Sequence, residues 1–278
     1  FYSMSTMATT SIEEISKVSG GPKMFQLYIH KDKGLTDNLI DLCKRSGFKA
    51  MCLTVDTVVA GNRERDHRWG FTTPPKLTLK SLLSFATHPM WSINYLTHEK
   101  FQLANVSHFT KKGSSIAKGV MEYINEQYDP KMNWQDAEYC IKRWGGPFAI
   151  KGVMSVEDAK RAVEIGASAI MLSNHGGRQL DGSRSPFDQL PAIAEAVGGK
   201  LEIILDGGVR RGTHVLKALS LGATACSFGK GYLFALGAGG QKGVEALLQR
   251  MHDEIRRDMI LLGCKTIKDL KKTNIAYR

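Results

Sequence analysis

The sequence predicts an α/β fold of the (β/α)8-barrel type, and three observations carry that prediction. Short β-branched or apolar runs alternate with segments of helical period, which is the pattern of βα units around a parallel sheet. Polar or chemically capable residues fall at the C-terminal ends of those runs, the face on which a βα barrel builds its active site. No Gly-x-Gly-x-x-Gly joins an early strand to its helix, which argues against a nicotinamide-binding domain. An open doubly wound sheet would also place ligands at the carboxyl ends of its strands.

Taken in order, Phe1 to Ser5 already reads as strand. Six further runs follow at Met24 to Tyr28, Ala50 to Asp56, Phe148 to Val153, Ala169 to His175, Glu202 to Val209 and Ala225 to Gly229. Helices with legible ends lie between them. Ser155 with Asp158 makes a start resembling a capping box, Gly166 supplies the stop, and a second helix is expected from about Thr213 to Gly222. The strand ends carry Gln26 and Tyr28, Thr54 and Asp56, Lys151, Ser173 and His175, Asp206, and Lys230. The whole chain, 1–278, is expected to be one domain with an inserted segment at about 66–135, because that interval far exceeds an ordinary connection of roughly 2 to 6 residues. Between Lys76 and Lys118 it holds six lysines against the single acid Glu99, with Leu82, Leu83, Phe85, Met90, Trp91, Ile93, Tyr95 and Leu96. Such a mixture suits an interfacial segment on an anionic membrane; an ordinary lid or packing helix fits it equally.

Composition narrows the function classes. A chain of 278 residues, 42% hydrophobic, can bury a full core. The formal charge of +11 favours an anionic partner. No ribonucleoprotein motif or zinc-ligand pairing is present, so nucleic acid is not expected. No run of about 18 apolar residues occurs, so no membrane span is expected. Five cysteines, odd in number and far apart, suggest reduced thiols in a cytoplasmic setting without a structural metal. The chain opens on Phe1 without a leader pattern, which reads as an incomplete chain.

The most informative stretch is Ser173-Asn174-His175-Gly176-Gly177-Arg178-Gln179-Leu180-Asp181. A strand-end histidine can act as a base near neutral pH, two glycines let backbone approach a ligand, and an arginine three positions on offers a planar fork to a carboxylate. A lone strand-end histidine is more often structural, but the glycines and Arg178 reverse that expectation here.

These residues resemble the FMN-dependent α-hydroxy-acid oxidases and dehydrogenases. The similarity continues through Met4-Ser5-Thr6, Phe25-Gln26-Leu27-Tyr28, Leu53-Thr54-Val55-Asp56-Thr57, Ile150-Lys151-Gly152 and Leu205-Asp206-Gly207-Gly208-Val209-Arg210. The bacterial quinone-linked L-lactate dehydrogenases resemble it most, sharing Thr87-His88-Pro89, the tryptophan after it and the long insertion. The resemblance implies a TIM (β/α)8 barrel, here without its first strand and most of its second, and a substrate-binding tyrosine and Pro-Thr-Ala segment beyond these residues. Such a fragment, with two unpaired sheet edges, is expected to be poorly soluble or inactive by itself.

By position, the resemblance implies that His175 takes the substrate proton and that Asp56 holds the resulting imidazolium. Arg178 would grip the substrate carboxylate with Tyr28, and Arg63 would be a second active-site arginine. Lys151 would stabilise reduced FMN. Ser5, Gln26 and Thr54 would meet the isoalloxazine ring, Ser173 and Asp206 the ribityl hydroxyls, and Gly208, Arg210, Gly229 and Lys230 the phosphate.

The chain departs from the family at Gly229-Lys230-Gly231, where Gly-Arg-Pro or Gly-Arg-Ala is usual, so the phosphate fork is lost while the charge stays. Val58 replaces a common proline, and Met7 lines a substrate pocket of unsettled size. The implied activity is oxidation of an L-2-hydroxy acid, L-lactate foremost, with electrons passed through FMN to quinone or a cytochrome. The rivals are an oxygen-reducing oxidase, a flavin-dependent diphosphate isomerase and an inactive membrane-binding remnant. The implied assembly is a homotetramer, in the cytoplasm or peripheral on the inner face of the cell membrane.

Overall fold

Strands form where the apolar runs predict them, and all but the first stop earlier than their runs. The computed structural model describes residues 1–64, 68, 78–98, 103–106 and 128–276. Two compact units divide the chain: residues 1–49 with 58–132, and residues 50–57 with 133–278. Part of the expected insertion, including Lys76, Glu99, Lys100, Lys111, Lys112 and Lys118, lies outside the described residues.

In the first unit, β1 (Tyr2–Ser5) pairs in parallel with β2 (Lys23–Leu27), with Ser5 opposite Gln26. All five residues of β2 are buried, as expected for a strand covered on both faces. Between them, α1 (Ile12–Val18) starts on a reciprocal cap in which the Ser11 side chain accepts from the Glu14 N–H and Glu14 accepts from the Ser11 N–H. Next, α2 (Lys33–Arg45) is capped by Asp32 and buries Leu35, Leu39, Ile40 and Cys43 along one stripe. Phe25 meets Phe48 edge to face at 6.2 Å.

Two short helices of this unit do not bury their apolar residues. On α3 (Leu79–Thr87) and α4 (Pro89–Thr97) no residue is buried. Leu79, Met90 and Leu96 are exposed to 77%, 74% and 80%. Phe85, Trp91 and Tyr95 form a ladder, with ring centroids 5.4 Å and 5.3 Å apart and planes within 15° and 7°. A run of large exposed side chains on adjoining helices is what a surface awaiting an apolar neighbour looks like.

The second unit holds β3 (Ala50–Thr54), β4 (Phe148–Lys151), β5 (Ala169–Leu172), β6 (Glu202–Asp206) and β7 (Ala225–Ser227), each parallel to the next. Helices α5 (Trp134–Trp144), α6 (Val156–Glu164), α7 (Pro186–Val197), α8 (Gly212–Ser220) and α9 (Lys230–Leu261) belong to this unit. The caps explain most of their starts: Asn133, Ser155 and Ser185 each accept from backbone N–H groups of the first turn. Helix α9 is broken at Gly239 and Gly240, whose φ/ψ values of −148°/17° and 58°/−145° are not helical.

Helix α8 has no side-chain cap of its own. Instead Glu254, from the second half of α9, accepts from the Gly212 N–H at 2.8 Å and from Arg211 Nη1 at 2.9 Å. Those two bonds hold its carboxyl below the usual range, the backbone bond having the larger effect. A Cβ on Gly212 would lie 2.6 Å from the Ile255 nitrogen, so the two helices touch backbone to backbone here.

Among the described residues, no helix is long and apolar enough to cross a membrane, and no cluster of His, Cys, Asp and Glu could hold a metal ion. The five cysteines are free thiols. Burial pushes Cys52 and Cys226 up to about 12, which makes their thiolates scarce and the groups inert.

Candidate active site

The loops after β3 to β6 gather the second unit's chemical residues at one end of the strands. Parallel strands deliver their C-terminal ends to the same rim, so residues far apart in sequence meet there. His175 Nδ1 lies 3.2 Å from Asp56 Oδ1, and the two side chains are 22% and 12% exposed. Thr57 Oγ1 donates to the same Asp56 oxygen at 3.0 Å. Burial alone would raise the Asp56 carboxyl, but the His175 hydrogen bond, the Lys151 charge and the Thr57 hydroxyl together bring it below the usual carboxylate range. An ionised carboxylate only accepts, so Nδ1 of His175 carries hydrogen, and in the neutral ring the lone pair is on Nε2.

The backbone at this histidine is unusual. Among the described residues His175 is the only non-glycine with positive φ, at 57°, and Gly176 and Gly177 follow at 69° and 70°. A left-handed backbone costs a non-glycine residue about 1–2 kcal/mol. The turn offsets that cost through the His175 N–H, which donates to Ser173 Oγ at 3.1 Å. It is further closed by the Gly177 N–H, which donates to Asn174 Oδ1 at 3.1 Å.

Ser173 joins this loop to the neighbouring cation. Its hydroxyl donates to Asp206 Oδ2 at 2.8 Å and accepts from Lys151 Nζ at 2.8 Å. With the His175 N–H, the one donor and both acceptor sites of the hydroxyl are filled. Lys151 is also paired with Asp206 at 3.2 Å, both side chains being 14% exposed. Thr54 is buried opposite Lys151 in the β3–β4 register.

The remaining expected residues of this unit lie on the same series of loops. Arg178 is exposed on the His175 loop. Gln179 ties that loop to β3 by donating to the Asp56 carbonyl at 3.0 Å. Lys230 reaches Gly176 O at 3.5 Å. Gly208 and Gly229 are exposed, and a Cβ on either would meet nothing within 4 Å. Arg210 is exposed, and its N–H meets His214 Nδ1 at 3.2 Å.

Five expected residues, counting the pocket-lining Met7, fall in the first unit. Ser5 donates to Gln26 Oε1 at 3.0 Å, and Gln26 is 9% exposed. Tyr28 stands edge to face with Tyr128, centroids 5.7 Å apart. Arg63 has a buried Nε without a hydrogen-bond partner, a donor suited to an anion. Met7 packs against Leu103 and Val106, as does Tyr128. One residue beside the acid and base was given no role by the sequence: Thr57, whose visible signal was a hydroxyl directly after a strand-end aspartate.

A second, open cleft of about 280 Å³ lies at the opposite ends of β5 to β7 and includes Ser168, Lys200, Glu202 and Thr224. It holds no histidine or cysteine, and the reactive set is confined to the other rim.

A family model described as FMN-dependent dehydrogenase matches residues 1–277. An L-lactate oxidase of Nostoc sp. is 42% identical over 271 residues, covering 96% of this chain and 68% of the relative. An L-lactate dehydrogenase of Serratia proteamaculans is 38% identical, covering 99% and 72%. Among solved structures, the monotopic membrane protein (S)-mandelate dehydrogenase superposes with a TM-score of 0.93 at 32% identity, covering 99% of this chain and 72% of that one. The fold class is therefore the TIM barrel expected from the sequence. With strand-end residues, loop geometry and a match along nearly its whole length in agreement, this chain belongs to the FMN-dependent dehydrogenase family.

Proposed function

We propose that the chain oxidises a small L-2-hydroxy acid, L-lactate foremost, to the 2-oxo acid with FMN as the immediate electron acceptor. The observation that carries this reading is the His175–Asp56 contact at 3.2 Å on a loop that Ser173 ties to Lys151. Relatives named L-lactate dehydrogenase and L-lactate oxidase support the substrate.

The residues present fit the flavin by donor chemistry. Lys151 offers a half-buried ammonium, while Arg210, Lys230 and the open backbone at Gly208 and Gly229 offer positive charge and N–H groups for a phosphate. FMN, when bound, supplies the two-electron sink for the hydrogen leaving C2 of the substrate. His175 Nε2 accepts the hydroxyl proton, and Asp56 holds the imidazolium thus formed in place. Arg178 clamps the carboxylate and so orients C2. Lys151 would offset the negative charge of the reduced cofactor. We assign Ser173 to holding Lys151 and His175 rather than to a ribityl hydroxyl, because its hydroxyl is already saturated.

Anaerobic mixing of the FMN-loaded protein with L-lactate should bleach the flavin. Arg178→Lys, which keeps charge and loses the bidentate fork, should raise KM about tenfold or more. A flavin that binds but is reduced by no 2-hydroxy acid would exclude this reaction and leave a non-redox flavin role, such as that of a diphosphate isomerase.

The exposed ladder on α3 and α4 favours a second reading, attachment to a membrane surface from which a lipid-soluble quinone collects the electrons. Amphipathic aromatics and leucines beside lysine suit the headgroup boundary. The protein should co-sediment with anionic phospholipid vesicles, with a blue shift of Trp91 emission that is lost in Leu83→Asp. Recovery of all protein in the supernatant, with reduced flavin rapidly reoxidised by air, would favour a soluble oxidase.

A further inference from the structure

Thr57 has no part in the chemistry described so far, yet its side chain sits at the junction of the acid and the base. It is 6% exposed. Its hydroxyl lies 3.0 Å from Asp56 Oδ1 and 3.4 Å from His175 Nδ1. Asp56 Oδ1 thus receives two donors, while Asp56 Oδ2 is buried and makes no hydrogen bond. A carboxylate can turn about its Cβ–Cγ bond, and because its two oxygens are equivalent, what must be held is the plane of the group. The Thr57 hydroxyl restrains that plane, because its donation favours the orientation in which one oxygen stands between the hydroxyl and the ring.

From this geometry we infer that Thr57 is a positioning residue for the reaction: it fixes the Asp56 carboxylate against His175 Nδ1 and tempers the charge the imidazole feels. Its hydrogen draws electron density from Oδ1, so the carboxylate attracts the imidazolium less than a bare one would. Deleting the hydroxyl would therefore strengthen the pull of the carboxylate on the imidazolium. The other charges facing this group are Lys151 from β4, which acts on Asp56, and Asp206 from β6, paired with that lysine. Arg178 follows on the same loop as His175, and Lys230 reaches that loop at Gly176.

The inference rests on the reading of His175 as the base, so its test has one arm that needs no turnover. In the FMN-loaded protein, the ring nitrogens of His175 are followed by 15N magnetic resonance across pH, assigned by their loss in His175→Gln. Thr57→Val, which keeps the shape and deletes the hydroxyl, should shift the His175 titration to higher pH, and Thr57→Ser should return it. In turnover, Thr57→Val should lower kcat about tenfold, the equivalent of one lost hydrogen bond of about 1.4 kcal/mol, with KM changed by no more than about twofold. The acid limb of kcat/KM should move upward with the titration.

A Thr57→Val protein that folds with the His175 titration unmoved would overturn the inference, as would Thr57→Ser behaving like Thr57→Val. Should the valine not fold, Thr57→Ala answers the same question. If instead His175→Gln keeps its activity, the base assignment fails while the resonance titration still decides the role of Thr57.

Discussion

Replacing His175 with glutamine should slow anaerobic flavin reduction by L-lactate about a thousandfold, within the roughly 10²–10⁴ that a positioned general base contributes. Glutamine can still offer Asp56 an N–H, so the 3.2 Å contact has a substitute, but no basic nitrogen remains to take the hydroxyl proton. Substrate affinity should change only a few-fold, because the carboxylate clamp on Arg178 is untouched. The surviving activity should also lose its acid limb, since no group with a histidine-like pKa then governs the step. Stopped-flow reduction at a series of pH values checks both points. Residual activity within tenfold of the parent, with the limb preserved, would move the base elsewhere.

Gly152→Ala should damage stability and catalysis together. Gly152 has φ +106°, and a Cβ there would lie 2.8 Å from Asp56 Cβ and 2.9 Å from the Asp56 nitrogen. Neither neighbour can yield easily: the Gly152 N–H donates to Met171 O at 3.0 Å, and the Val55 N–H donates to Lys151 O at 2.9 Å. Overpacking and left-handed strain together should cost about 2–4 kcal/mol in urea unfolding. The displaced Asp56 should lower kcat about tenfold or more, as small misplacements of catalytic groups do. Gly166→Ala is the matched control, because its φ is +83° but a Cβ there would meet nothing within 4 Å. It should lose only the strain, about 1 kcal/mol, and keep kcat. Equal behaviour of the two variants would show that contact with Asp56 is not what confines position 152.

These expectations draw on features of differing legibility in the sequence. The strand starts at Ala50, Phe148 and Ala169 were readable, because burial on both faces demands continuous apolar runs, and those at Glu202 and Ala225 because a short apolar run follows a helix. The strand ends were overshot by two or three residues. The run Ala169 to His175 stops pairing at Leu172, and the run Glu202 to Val209 stops at Asp206. Those extra residues are the site loops, where hydrogen bonding passes from the sheet to side chains such as Ser173. The residues of the reactive set were legible by type and place. Their connections were not: the left-handed backbone of His175 depends on turn geometry, the saturated Ser173 hydroxyl on partners 22 and 33 positions away, and the shared Asp56 oxygen on one 119 positions away. The Ser155 start and Gly166 stop were visible locally, whereas the partner of the Gly212 N–H was not, being 42 positions downstream.

That distant partner has an architectural consequence. Because Glu254 closes the start of α8, the final helix acts as a brace for the turn carrying Gly208 and Arg210. In the phosphate role proposed for Gly208 and Arg210, loss of that single acid would be felt first as a weaker hold on the anion rather than as a frayed helix.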